Sequence, residues 1–400
     1  MFQDSPIKYF KGTHRIISPD ETINKFESKL KAAGITRVTE ITDLDRIKIP
    51  VFSAIRPTSE EGSVSVYAGK GINKSHAKAS AIMEGFERYS AERQNIDDVF
   101  YGTISEAKEK HEIIEPEHLN LAKDLKFNED TSLEWTLSKD IISDKDFLIP
   151  TNAIYHPYNS ENNTISLFKS NTNGLASGNN LEEAILHGIF EVVERDAWSI
   201  FELTKKNKKE VKLDTIDSEL INDVLEKFKN ESIDIKLLDI TVDIEITTIV
   251  AISDDTLLKD PALLTIGVGT HLNPEIAILR ALTEVAQSRA TQIHGAREDT
   301  VRADFMRKAG YERMKKINKH YFQENENKIN FNDLKNKSKQ SIKEDIDTSI
   351  SELQKANIKN VLYVDLTRKE VDVPVVRVVI PELELYSIDS SRLGKRFLKI

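Results

Sequence analysis

The sequence predicts an α+β protein with one composite body, built around three similar strand–turn–helix units whose helices converge on one site. Two observations support this class. Period-2 alternation, typical of strands, and period-3.6 spacing, typical of helices, follow one another along the chain. In addition, three segments of similar sequence each join a small-residue turn to a helix. An element used three times favours one composite body over three separate domains.

The periodic patterns predict the elements in order along the chain. Helices are expected at 22–33, 74–94, 181–203, 217–229 and 274–293. Strands are expected at 63–67, 147–155, 235–240, 246–252, 263–270, 361–366 and 373–380. Residues 100–135 resemble a charged helix with loops, and residues 171–178 form a turn-rich segment.

The same patterns divide the chain into two parts. Residues 1–60 are expected to form an N-terminal segment that packs on the body, and residues 61–400 form the body itself. A Lys- and Asn-rich stretch at about 303–356 is expected to be a charged insertion of exposed helices.

The composition excludes several classes of function. The 400 residues carry a formal net charge of −10, whereas nonspecific nucleic-acid binding needs a cationic surface. The chain has no cysteine, which excludes disulfides, thiolate metal ligands and a cysteine nucleophile. No stretch reaches the roughly 20 apolar residues of a membrane span, and residues 1–20 lack a signal-peptide core. We therefore expect no nucleic-acid or membrane partner and a cytoplasmic location.

The three similar segments start at Gly69, Ala176 and Gly269. Aligned on a shared alanine, each has a glutamate seven residues later, and an acidic or amide residue three positions beyond that. The aligned positions are Ala77, Ala184 and Ala277; then Glu84, Glu191 and Glu284; then Glu87, Glu194 and Gln287. Four residues before the first glutamate of each set come Ser80, His187 and Arg280. An asparagine near the start of each helix is a typical N-cap residue.

This spacing places carboxylates on one face of each helix, because a helix turns about 100° per residue. The second helix is apolar on nearly every side, so Glu191 and Glu194 are expected in or beside the core. Glu183 lies one turn before His187 on the same face. Buried carboxylates need a cationic partner, since leaving them unpaired costs several kcal/mol.

Three explanations could account for these carboxylates. Arg88, Arg195 and Arg289 could pair with the glutamates of their own helices, or the stripes could be ordinary solvated faces. Divalent cations are the third explanation, and Mg²⁺ prefers carboxylate and phosphate oxygens. The sequences Lys11-Gly12-Thr13-His14-Arg15 and Gly69-Lys70-Gly71 place cations on flexible backbone that could bind phosphate. A standard P-loop and a dinucleotide-binding glycine motif are both absent from the sequence.

The order and spacing of these residues resemble the YcaO family. The resemblance is carried by Ser80-x-x-x-Glu84-x-x-Glu87-Arg88, Glu191-x-x-Glu194-Arg195 and Glu284-x-x-Gln287-x-Arg289. AGKG at 68–71, NGLASG at 173–178 and the closing strand VVRVVIPELE at 375–384 also fit that family. The resemblance covers roughly residues 60–300.

The resemblance implies ATP bound through Mg²⁺, with the three helices converging on one nucleotide site. The implied metal ligands are Glu84, Glu87, Glu183, Glu191 and Glu194. The implied nucleotide-binding residues are Lys11, Arg15, Ser18, Lys70, Ser80, Glu87, Arg195, Glu284 and Gln287. Glu191, Glu194 and Arg289 are the implied catalytic residues.

The family resemblance also implies the chemistry, which is ATP-dependent activation of a peptide backbone amide. External sulfide would give a thioamide, as in a thioglycine of the methyl-coenzyme M reductase alpha subunit, and a TfuA-like protein is the implied sulfur-delivery partner. The C-terminus has no proline-rich tail and no fused docking domain is evident, which favours the archaeal stand-alone type. Azoline formation on a ribosomal peptide and a noncatalytic ATP-binding role in methylthiolation are the alternatives. A homodimer is a further open expectation.

Overall fold

The computed structural model describes residues 2–94, 99–122, 124–161, 164–206, 208–295 and 302–400. The helices are α1 (Pro19–Phe26), α2 (Lys74–Ala91), α3 (Ile104–Lys110), α4 (Leu181–Thr204), α5 (Glu219–Asn230), α6 (Pro274–His294), α7 (Arg302–Ala309), α8 (Tyr311–Ile317), α9 (Lys319–Phe322) and α10 (Ile342–Lys355). The strands are β1 (Arg37–Glu40), β2 (Val51–Ile55), β3 (Val66–Lys70), β4 (Phe100–Thr103), β5 (Ser132–Asp140), β6 (Asp146–Pro150), β7 (Leu175–Ser177), β8 (Lys209–Val211), β9 (Ile233–Asp239), β10 (Thr248–Asp255), β11 (Ile266–Thr270), β12 (Lys328–Ile329), β13 (Leu362–Asp365) and β14 (Val375–Val379).

Within the described residues, the strands form three sheets. Their orders are β1-β2-β3, β11-β10-β9-β8-β12 and β4-β5-β13-β14-β7, with β6 paired to β5. Helices pack against these sheets in a composite body, which confirms the predicted α+β class.

The three predicted units are β3–α2, β7–α4 and β11–α6. Each of these strands lies at the edge of its own sheet and packs against the helix that follows it. Asn73, Asn180 and Asn273 are the N-cap residues, and each side chain accepts a hydrogen bond from a backbone N–H in the first turn. The sequence repeat is therefore also a structural repeat.

Glycine allows strand and helix backbones to touch in two of these units. A Cβ atom on Gly69 would lie 2.0 Å from the backbone nitrogen of Ala81, and one on Gly269 would lie 2.2 Å from the carbonyl oxygen of Ala277. No side chain fits at such distances, so these positions need glycine. The close contact fixes the rotation of α2 and α6, and so determines which face each helix presents.

The N-terminal segment is integrated into the body. β1 and β2 pair in the same sheet as β3, so residues 1–60 supply two strands beside the first unit. The insertion at 303–356 is only partly exposed. α10 packs on α4 through Ile342, Ile346 and Leu353, all fully buried, because its apolar residues form one face.

The sequence missed several strands in the first half of the chain. Residues 100–135 contain β4, α3 and the start of β5 rather than a helix with loops. The predicted strand at 147–155 ends at Pro150 and continues as a short 3-10 turn, Thr151–Ala153.

Candidate active site

The helices α2, α4 and α6 line one cavity of about 610 Å³. Gly12, Thr13 and Arg15 of the N-terminal loop and Gly178 and Asn179 of the turn before α4 complete its wall. The predicted site residues that line it are Arg15, Lys70, Ser80, Glu84, Glu87, Glu183, Glu191, Glu194, Arg195, Glu284 and Gln287. Side chains far apart in sequence therefore meet in one cavity, as the shared helix faces predict.

Two carboxylates of α4, Glu191 and Glu194, have raised pKa values in this cavity. Glu194 is 3% exposed, and its Oε2 has no hydrogen-bond partner within the described residues. Burial raises the pKa of Glu194 to about 7, although Arg195 opposes the shift. Burial also raises the pKa of Glu191 against the opposing effect of Arg195 and Arg377. Both groups are thus placed where an additional cation would stabilise their charged forms.

Glu87 of α2 joins the same acidic cluster. Its Oε1 accepts hydrogen bonds from the backbone N–H of Ser177 at 2.9 Å and from its hydroxyl at 2.7 Å. Burial raises the pKa of Glu87 to about 8, the neighbouring Glu84 and Glu191 charges add to this shift, and the Ser177 hydrogen bonds oppose it. The end of β7 therefore orients the carboxylate, but its charge remains uncompensated.

Glu183 has a different environment at the other end of the α4 face. Its oxygens accept hydrogen bonds from Asn179 and from the backbone N–H of Ile16, and Arg15 Nε lies 3.7 Å away. These contacts hold the N-terminal loop against the cavity. Both carboxylate oxygens of Glu183 already accept hydrogen bonds. Its role as a metal ligand stays a prediction.

Within the described residues, a glutamate of the site pairs with an arginine of the same helix on only one of the three helices. Arg88 lies 3.1 Å from Glu84 on α2. Arg195 packs over the Trp198 ring, and its Nε has no partner among the described contacts. Arg289 pairs with acidic residues of other segments. The glutamates of the acidic cluster are therefore not each neutralised by an arginine of their own helix.

Arg289, predicted as catalytic, does not line the cavity. It is fully buried, and its guanidinium contacts Asp45 at 2.7 Å and Asp255 at 3.1 Å. These two ion pairs join α6 to other segments of the chain. The catalytic role of Arg289 stays a prediction.

Two predicted N-terminal residues also lie outside the cavity wall. Ser18 is the N-cap of α1, where its hydroxyl and backbone bond Glu21 in a capping box. Lys11 is exposed, and the cavity wall includes its neighbours Gly12 and Thr13 instead. The tight turn that pairs Tyr9 with Arg15 directs Arg15 inward and Lys11 outward.

Arg280 and His187 were not among the predicted site residues, yet both line the cavity. They occupy the same position in their helices as Ser80, four residues before the first glutamate, and this register is the signal that identifies them. Arg280 Nη1 lies 3.4 Å from His187 Nε2. Gln287 donates its side-chain N–H to the Ala68 carbonyl and so joins α6 to β3.

The donor set fits Mg²⁺ and polyphosphate. Carboxylate oxygens are hard ligands, and Mg²⁺ is usually held by one or two carboxylates together with substrate phosphates. No group of three or more His, Asp or Glu side chains forms a complete metal site within the described ranges. Phosphate oxygens of a nucleotide would complete the coordination of a Mg²⁺ ion held by these carboxylates. Lys70, Arg195 and Arg280 are nearby cations for the phosphates.

Comparison with known proteins shows the family of this chain. Residues 68–384 match the family model described as YcaO cyclodehydratase, ATP- and Mg²⁺-binding. An uncharacterized protein of Methanothermobacter thermautotrophicus is 52% identical over 382 residues, covering 95% of this chain and 97% of that protein. A Rhizobium leguminosarum bv. trifolii protein described as lying in the tfuA 3′ region is 30% identical over 93% of this chain and 89% of that protein.

Solved structures show the same fold. The structure of YcaO from Methanopyrus kandleri bound with AMPPCP and Mg²⁺ matches with a TM-score of 0.79 and 26% identity, covering 98% of both chains. A heterocyclase in complex with substrate and cofactor matches with a TM-score of 0.85 over 99% of this chain and 55% of that chain. At 23% identity, this second likeness concerns the fold alone.

No helix in the described ranges is both long and apolar enough to cross a membrane. The family match spans most of the chain, and its ATP- and Mg²⁺-binding character confirms the predicted cofactors. On these grounds the chain belongs to the YcaO family of ATP- and Mg²⁺-binding proteins.

Proposed function

We propose that this chain activates a peptide backbone amide with ATP and Mg²⁺, and uses external sulfide to convert that amide into a thioamide. The observation that carries the amide-activating role is the pair of half-buried Glu191 and buried Glu194, which face one cavity of about 610 Å³. Cavities of roughly 300–1,000 Å³ accommodate small-molecule ligands such as a nucleotide.

The residues of the chain divide the work of binding. Glu87, Glu191 and Glu194 would hold Mg²⁺, with Glu84 beside them. When bound, Mg²⁺ would neutralise and orient the phosphates of the nucleotide. Lys70, Arg195 and Arg280 supply positive charge at fixed positions, which favours the transfer of a phosphoryl group without any covalent intermediate on the protein.

The proposed reaction overcomes the low reactivity of an amide, whose carbonyl is stabilised by resonance. Hydrosulfide adds to the carbonyl carbon, and the carbonyl oxygen takes the γ-phosphoryl group of ATP. The C–O bond then breaks, phosphate leaves with the proton that came with sulfur, and a C=S bond remains. Amide, HS⁻ and ATP thus give thioamide, ADP and hydrogen phosphate, with atoms and charges balanced. A protein with no cysteine can perform this step, because the sulfur comes from outside.

Two similarities support thioamide over azoline formation. The archaeal Methanopyrus YcaO matches this chain over nearly its full length. A second relative is described by its position beside tfuA, which supports a TfuA-like sulfur-delivery partner. We propose the glycine of methyl-coenzyme M reductase that becomes thioglycine as the substrate. The homodimer and the cytoplasmic location remain predictions.

The test is product mass after incubation of the protein with a glycine-containing peptide from that reductase, ATP, Mg²⁺ and sulfide. Thioamidation replaces oxygen by sulfur and increases the mass, with a matching release of ADP. Loss of water from a peptide that contains Cys, Ser or Thr would instead indicate azoline formation. ATP binding without turnover on any peptide would support the accessory role and contradict the proposal.

A further inference from the structure

A second, smaller cavity is lined in part by Asn171 and Asn173, whose neighbour Thr172 lines the nucleotide cavity. Its volume is about 40 Å³. Much of its wall comes from β14 and the residues that follow it, the VVRVVIPELE segment that the proposed function leaves without a role. Val192, the residue after Glu191, closes it on the α4 side.

Arg377 of β14 brings a buried positive charge to this cavity. The residue is 4% exposed, and its Nε donates to the Ala153 carbonyl at 3.0 Å, while Nη2 donates to Asn171 Oδ1 at 3.3 Å. Nη1 is buried and has no partner among the described residues. The Glu191 carboxylate partly offsets this charge, but both hydrogen bonds go to neutral acceptors. A further acceptor at Nη1, preferably an anion, would therefore stabilise the buried guanidinium.

Arg392 adds to the positive potential of the same wall. It is 3% exposed, stacks on the Phe168 ring at 3.7 Å, and donates to the carbonyls of Leu119 and Asn120. Burial lowers the pKa of Arg377 to about 9 and that of Arg392 to about 10, although the Glu191 and Asp389 carboxylates respectively oppose these shifts. Glu382 is the acid in the wall, and this residue is largely exposed to solvent.

We propose that this cavity binds a small monovalent anion, of the size of chloride or hydrosulfide, against Nη1 of Arg377. Its volume favours a small ligand. A single water needs roughly 10–15 Å³ of such space, so about 40 Å³ has room for about three water-sized atoms. Asn173 Oδ1 also lines the cavity without a partner, and rotation of this amide would present its NH₂ group to the anion.

Two sources could supply this anion. A resident chloride would act as a structural counter-ion for Arg377. Hydrosulfide would be a substrate held close to the nucleotide cavity, and this second source rests on the thioamidation proposed above. The anion site itself does not depend on that reaction, so the two can fail separately.

The direct test is a crystal of the full chain grown with sodium bromide, because bromide is identified by its anomalous scattering. We expect a bromide peak within hydrogen-bonding distance of Arg377. In solution, sodium chloride should raise the melting temperature more than sodium gluconate at equal ionic strength, since gluconate is too large for the cavity. Arg377→Met should lose this difference, and Arg377→Lys should retain part of it. Water alone at the site, or equal melting temperatures in the two salts, would overturn the proposal.

Sulfide distinguishes the two sources. If hydrosulfide is the ligand, sulfide displaces bromide from the crystal, and Arg377→Met raises the KM for sulfide at least about tenfold without changing the KM for ATP. An unchanged KM for sulfide, with bromide still bound, assigns the site to a resident halide. The crystal with bromide decides the proposal even if Arg377→Met does not fold.

Discussion

Lys70, the last residue of β3, forms an ion pair with Glu284 of α6, a residue 214 positions later in the chain. Burial alone would raise the pKa of Glu284, but Lys70, Arg195 and Arg280 more than offset it and keep that pKa below its usual value. Glu194, in the same cavity, has a raised pKa. The cavity therefore combines paired carboxylates, such as Glu284, with carboxylates that a cation would stabilise.

We expect Lys70→Gln to weaken the binding of Mg²⁺·ATP by about tenfold, because loss of the cation leaves Glu284 as additional negative charge facing the phosphates. Isothermal titration calorimetry measures this change. Lys74→Gln is the matched control, since Lys74 is four residues away and pairs with Glu40 on the surface, with 72% of its side chain exposed. Equal losses of affinity in both variants would show that only the net charge of the protein matters.

Glu194→Gln should stabilise the metal-free protein at high pH. A carboxyl group whose pKa rises from 4.5 to about 7 on folding contributes stability below pH 4.5, and this contribution is lost as the pH rises through about 7. The Glu194→Gln variant has no such pH-dependent loss of stability. Its free energy of unfolding relative to that of the wild type should therefore increase by about 1–3 kcal/mol between pH 5 and pH 8. Urea unfolding in EDTA measures it. The same variant should lose stabilisation by Mg²⁺ and nucleotide.

Asp345→Asn provides a control with the same pH trend and no link to the site. Asp345 lies fully buried on α10, its Oδ2 has no partner in the described part of the chain, and burial raises its pKa to about 7. Its substitution should also increase stability at pH 8, but stabilisation by Mg²⁺ and nucleotide should remain. If Glu194→Gln retained that stabilisation as well, Glu194 would have no role in metal binding.

Arg289 and Arg280 should respond differently to substitution by methionine. Arg289→Met leaves Asp45 and Asp255 as buried charges without this partner, so we expect a loss of about 3–5 kcal/mol in the free energy of unfolding. Arg280→Met should fold normally and bind ATP more weakly. Thermal denaturation and ATP titration of both variants separate these roles. Weaker ATP binding by a stable, folded Arg289→Met protein would restore Arg289 to the site.

The spacing within helices explains why much of the site could be predicted from sequence. Glu84, Glu191 and Glu284 repeat at one position of a structural unit, and the period of a helix places their partners on the same face. The same rule argues against Arg289, which lies five residues after Glu284 and therefore about 140° around the helix. Arg280 lies four residues before Glu284, on the shared face. The family resemblance favoured Arg289, whereas helix geometry favours Arg280.

Pairing between distant segments could not be predicted in this way. β5 has four consecutive buried residues, Leu133 to Thr136, because both its faces are covered, so the alternation that marks a half-buried strand is lost. The inward direction of Arg15 depends on Tyr9 and Glu183, and local sequence patterns do not predict such contacts. Arg377 is a single arginine in an apolar strand, and only the fold shows that its Nη1 is left without an acceptor.

The central claim is that carboxylates from separate helices bind a nucleotide only together with Mg²⁺. The most direct measurement is the melting temperature of the protein with a nonhydrolysable ATP analogue, in Mg²⁺ and in EDTA, for wild type and Glu191→Ala. A ligand that binds only the folded state stabilises it by mass action. We predict stabilisation of the wild type in Mg²⁺ alone, and no stabilisation of a folded Glu191→Ala protein. Equal stabilisation in EDTA, or an unchanged response of the variant, would contradict the account.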